Sequence, residues 1–326
     1  MKNQIYASLV FAGILTVLAG SNGYAEQEAS KPADQSAITT SNSIQDTVAL
    51  IGLPDIQPNT SGEFTLTHDG IDFTSNDAHA LIAYPSITSV SVGTVHTEHG
   101  GTTGSIARKM PYGVGPVFAL ASQKQVDLLT IEFTDARGGY HGAVFAAPLH
   151  SVEGMQAKIA AHISTPSDAK PLQCAEGELR PNFILLAPVD TTGVEIPAEY
   201  RVLLYEHAYQ SLGATDTRNT YLRSGNHIAE SGCAAFVLHI TISDFNKGNQ
   251  TLRAATGPIG FFAWTTSMTF NVRLSDPHGE TVLDYKIKKS KRGDSDSLKL
   301  AQDIAKSISK QVNKAMTSTK KKEDIV

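Results

Sequence analysis

The sequence predicts an α+β protein of two domains behind an export leader, and three observations carry that expectation. The chain has 326 residues, more than a single hydrophobic core usually holds. Two patterned stretches, 48–164 and 172–316, are separated by Ser164-Thr165-Pro166-Ser167-Asp168-Ala169-Lys170-Pro171, a composition break read as a linker over 165–171. The first stretch alternates with period two and ends in one helical pattern, whereas the second interleaves helices and strands. The expected architecture is an antiparallel β-barrel or sandwich closed by a C-terminal helix, followed by a mixed α/β sandwich.

The leader comes first. One positive charge, Lys2, precedes an apolar run from Ile5 to Ala19. Gly20-Ser21-Asn22-Gly23 breaks the run, and Gly23 and Ala25 supply small residues at a cleavage-like site. This is the order of a cleaved secretory signal peptide over 1–25. The run is shorter than the roughly 20 apolar residues that span a bilayer. No cysteine lies beside the cleavage site to carry a lipid. The expected mature product is therefore periplasmic or extracellular, not a lipoprotein, with no transmembrane helix after cleavage. Residues 26–47, rich in Ser, Thr, Ala, Gln and Asp, have too little apolar surface to fold and are expected to form a disordered tether.

The first domain, 48–164, opens with a hairpin signature. Glu63 to Thr67 alternates, His68-Asp69-Gly70 turns, and Ile71 to Thr74 alternates again. Leu81 to Val95 supplies further strand. Leu129, Ile131 and Phe133 are expected on one face, with Thr130, Glu132 and Thr134 on the other, before the turn Asp135-Ala136-Arg137-Gly138-Gly139 and a strand over Tyr140 to Ala146. Val152, Met155, Ile159 and Ile163 then recur at helical spacing.

The second domain, 172–316, starts with the apolar strand Asn182 to Ala187. Pro197 can open a helix that runs from Ala198 to Leu212 and stops at Gly213. Phe236 to Ser243 and Met268 to Ser275 alternate as strands, and Asp276-Pro277-His278-Gly279 turns into a partner strand over Thr281 to Lys288. A closing helix from Ser295 to Met316 carries Ala301, Ile304, Ile308, Val312 and Ala315 on one face. Residues 317–326 are expected to be a basic disordered tail.

The phrases Gly62-Glu63-Phe64-Thr65-Leu66, Gly70-Ile71-Asp72-Phe73, Ala83 to Val90, Leu128 to Asp135 and Gly142-Ala143-Val144-Phe145 resemble bacterial secreted versions of the pleckstrin-homology-like superfold. That resemblance implies a binding or scaffolding module. The first hairpin, with Glu63, His68, Asp69 and Asp72, is not basic, so a lipid-headgroup role is not carried over. The phrases Ala234 to Phe245 and Val272 to Leu283 resemble the periplasmic domain group of the TolB amino-terminal part and CsgG, in an uncharacterised envelope branch. That resemblance implies an envelope accessory or assembly protein. The chain departs from the lipoproteins of that group in lacking a lipidated cysteine, and Asn246 to Thr266 is poor in alternating apolar residues, which speaks against a membrane-inserting hairpin.

Composition and motifs narrow the chemistry. With 41% hydrophobic and 18% charged residues and a formal net charge of −5, the chain is globular in composition and an unpromising nucleic-acid partner. The expected partner is another envelope protein, with peripheral contact to a membrane or polyanion as the alternative. Cys174 and Cys233 are a candidate disulfide worth about 4 kcal/mol in chain entropy, or two buried thiols. His96-Thr97-Glu98-His99 abuts Gly100-Gly101 and sits in a loop, not on a helix that would aim both imidazoles at one ion. The glycines over 100–116 lack the Gly-Lys-Ser/Thr ending of a phosphate loop. No nucleophile elbow, zinc helix or paired-cysteine motif occurs. His207 and His239 read as helix-face and strand-face residues. No catalytic residue, metal ligand or cofactor is therefore assigned, and a non-catalytic binding or adaptor protein is expected, with a lipid or glycan binder as the second reading and an extracytoplasmic hydrolase as the third. The candidate surface contacts are a basic-apolar flap including Arg108, Lys109 and Phe118, and the basic end of the last strand, Lys288, Lys289, Lys291 and Arg292. Lys320, Lys321 and Lys322 add charge in the tail.

Overall fold

A computed structural model describes residues 41–96, 125–163, 179–191, 193–226, 233–246, 266–276, 278–291 and 298–323, all within one compact unit, Thr40–Val326. Seven strands come first: β1 Ser43–Ile51, β2 Thr60–Leu66, β3 Gly70–Thr74, β4 His79–Ala83, β5 Ile87–His96, β6 Gln125–Thr134 and β7 Tyr140–Pro148. Helix α1 follows at Glu153–Ala160. Then come β8 Leu179–Leu186, α2 Ala198–Thr215, β9 Thr220–Arg223, β10 Cys233–Asn246, β11 Thr266–Ser275, β12 Thr281–Lys291 and α3 Leu298–Glu323. The chain is thus α+β, as the patterning implies.

The first seven strands form one antiparallel sheet in the order β4-β3-β2-β1-β7-β6-β5. The expected barrel closure is not found: β4 and β5, joined through the Tyr84-Pro85-Ser86 turn, stand at opposite edges of the sheet. The expected hairpin is β2 and β3, paired Phe64 to Phe73. The central β1 begins at Ser43, inside the stretch expected to be tether, because Ile44 is buried and the strand pairs on both sides with β2 and β7. One face of the sheet packs Phe64, Phe73, Phe145 and Ile131 with Val152, just before α1, and with Met155 and Ile159 of α1. Phe64 and Phe145 meet edge to face at 5.2 Å.

The opposite face of β1, β6 and β7 is also buried. Val48, Leu50, Val126, Leu128, Val144 and Ala146 share a core with α2, α3 and the second sheet. Residues from both sides of the expected linker therefore build one core. Helix α2 is buried nearly all round, through Tyr200, Val202, Leu204, Tyr205, Ala208 and Leu212, as expected of a helix enclosed on every side. Gly142 of β7 admits it closely: a Cβ there would stand 2.4 Å from a Val202 methyl.

The second sheet runs β12-β11-β10-β8-β9. Its β8-α2-β9 unit is a parallel crossover, and β10, β11 and β12 form an antiparallel meander. The inner residues Leu238, Ile240, Ile242, Met268, Phe270, Val272 and Leu274 are buried against α2 and α3. Helix α3 presents Ile304, Ile308, Val312 and Met316 to that core and exposes Lys306, Lys310 and Lys314. It runs to Glu323, past the expected end at Met316. No described helix is long and apolar enough to cross a membrane.

Candidate functional site

Three places concentrate polar chemistry, and each follows from the strand and helix register. The first is buried and joins the sheets. Glu206, on α2, turns its carboxylate to Arg223 at the end of β9, with two bonds of 2.7 Å. Its side chain is 1% exposed and that of Arg223 10%. The Gly142 amide donates to Glu206 at 3.1 Å, and Arg223 donates to the Tyr140 carbonyl at 3.1 Å. The guanidinium lies 4.0 Å from the Tyr209 ring centre, a cation–π contact. Its hold on protons is strengthened by the Glu206 hydrogen bond and charge, which outweigh the cost of burial.

Around this pair the turns of the two sheets touch. The Tyr140 amide donates to the Ser224 carbonyl at 2.8 Å. Gly225 has φ +83° and a Cβ on it would lie 2.4 Å from the Gly138 carbonyl oxygen, so the approach requires glycine. One turn of α2 earlier, Arg201 pairs with Glu132, whose other oxygen accepts from the Tyr140 hydroxyl at 2.6 Å. His141 stacks on Phe133 and lies 3.0 Å from Asp135. Burial, aided by the charge of Arg223, lowers the pKa of His141, while its Nδ1 has no described partner. Apart from His141 Nδ1 and Arg201 Nε, these groups find partners across the sheets. Chemically, that makes them a clasp.

The second place is an open recess of about 530 Å³ on the face of the second sheet turned away from the helices. Cross-strand register sets Asp284 beside Arg273 and Arg273 beside His239. Asp190, leaving β8, bridges to Thr241 and completes the wall with Asn271 and Ser275. Burial and the Arg273 charge lower the pKa of His239, against the pull of Asp190. The residues can hydrogen-bond a polar group.

The third place is the outer edge of β12. Among the described residues only β11 pairs with this strand. A groove of about 540 Å³ runs between Glu280 with the first residues of β12, Thr281 to Leu283, and Gln311, Lys314, Ala315 and Ser318 of α3. Lys286 and Lys288 are exposed on the side turned away from the helices, opposite the uncharged Asn271 and Thr269. Tyr285 lies opposite the buried Val272 and so belongs to the helix-facing set with Leu283 and Ile287, yet it is 37% exposed.

The sequence-level candidates distribute as follows. Lys288 is exposed on β12, Lys289 is half-buried opposite Met268, and Lys291 ends the strand opposite Thr266. Arg292, Arg108, Lys109 and Phe118 lie outside the described residues, as do Cys174, Thr97 to His99 and the glycines over 100–116. Cys233 opens β10 at 1% exposure. His96 ends β5 opposite Gln125. No group of three or more His, Cys, Asp or Glu able to hold a metal occurs among the described residues. His207, on α2, is pushed down to about 4 by burial and by Lys306. Sequence reasoning missed the clasp and the recess walls; an acidic residue inside the apolar run from Tyr200 to Leu212 was the one available signal for Glu206.

No family model and no curated protein matches the chain. Among solved structures, the protein XCC0632 from Xanthomonas campestris, described under the family model DUF330, is 10% identical and is matched over 48% of this chain and 94% of that one, at a TM-score of 0.27. A likeness at that score carries no argument about fold or function.

Proposed function

We propose that this protein is a non-catalytic exported envelope protein that acts as a binding or adaptor module. The first sheet with α1 serves as the pleckstrin-homology-like half and the second sheet with α2 and α3 as the TolB-amino-terminal/CsgG-like half. The observation that carries the reading is the asymmetry of the second sheet: its inner face is covered by two helices, while its β12 edge is unpaired among the described residues and is basic at Lys286 and Lys288. An edge that is open among the described residues and flanked by unneutralised charge suits recognition of another chain.

A leader followed by Cys174 and Cys233 suits an oxidising compartment. The reading includes their pairing, checked by intact mass before and after reduction in denaturant with thiol alkylation. Alkylation of both cysteines without reduction would remove it.

A photo-crosslinking residue in place of Tyr285 tests the function in intact cells. The expected result is a covalent adduct with another envelope protein, absent when the same residue replaces the exposed Leu81 on the first sheet. Crosslinks only to lipid would favour the peripheral lipid binder, the reading that the exposed Lys286 and Lys288 also serve.

A further inference from the structure

We infer that the β12 edge accepts an extended segment of a partner protein as an added antiparallel or parallel strand, with acidic and apolar residues alternating along it. This deepens the adaptor reading and rests on it. The outer ladder of β12, unpaired among the described residues, supplies backbone donors and acceptors for such a strand. The strand has two different flanks, and they dictate the partner's pattern. On the side away from the helices, Lys286 and Lys288 are exposed, have no ion-pair partner among the described residues and face uncharged neighbours on β11. An incoming residue opposite either lysine is best acidic, because cross-strand pairs of opposite charge stabilise and like pairs repel.

On the helix side, Leu283 and Val282 are half-buried and line the groove with Gln311, Lys314, Ala315 and Ser318, and Tyr285, the next helix-facing residue of the strand after Leu283, is exposed. Alternate residues of the incoming strand drop toward that groove and are best apolar. Lys310 and Lys314 on the exposed side of α3 extend the positive field. Asp284 and Glu280 stand at the opposite end, and Asp284 is already set beside Arg273. The acidic positions of the partner therefore belong opposite the Lys286 to Lys288 end. Edge lysines also discourage pairing with a second, equally basic β12, so a foreign acidic strand is the occupant the charges select.

The test uses the full mature chain and a short fluorescent peptide alternating Glu and Val, read by fluorescence anisotropy. Saturable binding is expected, with at least about tenfold weaker affinity for a peptide N-methylated at alternate amides, which cannot complete the ladder. A Lys-Val peptide is expected not to bind. K286E/K288E reverses the charge, and S318W fills the groove from an exposed helix position; each is expected to weaken binding about tenfold or more. Equal binding of the N-methylated peptide, or undiminished affinity in K286E/K288E, overturns strand addition. So does binding only to vesicles containing phosphatidylglycerol, or a β12-dependent dimer by light scattering. A peptide that does not bind while Tyr285 still crosslinks to a protein removes this inference and leaves the adaptor reading standing.

Discussion

The α2 clasp and the β12 edge place charge in opposite settings. Glu206 and Arg223 are buried, bonded twice to each other and hydrogen-bonded to the backbone of β7. Lys286 and Lys288 stand in solvent opposite neutral residues. A buried pair is costly to desolvate and ruinous to break, so its work is internal: it fixes how β7, α2 and β9 meet. Exposed, unneutralised charge adds little to folding and is free to select a partner. The difference separates what holds the protein together from what it offers to others.

The largest effect should come from breaking the clasp. R223A leaves the Glu206 carboxylate buried without its cation, and a loss of roughly 3–5 kcal/mol is expected in urea unfolding. E206M/R223M removes both charges and should cost distinctly less. Equal losses in the two variants would mean that packing, not the ion pair, accounts for the effect.

Acid comes next. His207 has a folded pKa of about 4, below its unfolded value near 6.5, so the fold holds it neutral. The unfolded chain takes up the proton first as pH falls. Stability is therefore unaffected by this group above about pH 6.5 and is lost between there and about pH 4, by roughly 3 kcal/mol at most. His141, lowered by burial and Arg223, acts in the same direction. H207N should flatten the acid limb of a stability–pH curve; an unchanged limb would show that His207 is solvated in the fold.

Much of the fold was legible because period and punctuation were unambiguous. The β2-β3 hairpin and the β10 to β12 strands were legible from alternation and turn residues, and helix α2 from Pro197 at its start and Gly213 near its end. What escaped depended on distant partners. Thr130 and Glu132 alternate like a solvent face, yet they are 2% and 8% exposed because α2 covers them and Arg201 meets Glu132. Strand β1 begins among polar residues, and only pairing with β2 makes Ser43 to Thr47 a strand, β7 joining from Val48 on. β9 is four residues long, too short for a periodic signal. It is organised by Asp216, which accepts from Asn219 at 2.6 Å and Tyr221 at 3.2 Å. The basic end of β12 was visible in sequence, but its place at a sheet edge beside α3 came only from topology.

The smallest effect on folding should coincide with the largest on recognition. K286E/K288E is expected to shift unfolding by no more than about 0.5 kcal/mol. Its photo-crosslinking yield at position 285, measured in cells against the unsubstituted β12, tests most directly whether this edge is where the protein meets its partner. The account expects a protein adduct that disappears in K286E/K288E while the variant stays folded. An adduct of undiminished yield, or one equal to that formed from position 81, would contradict it.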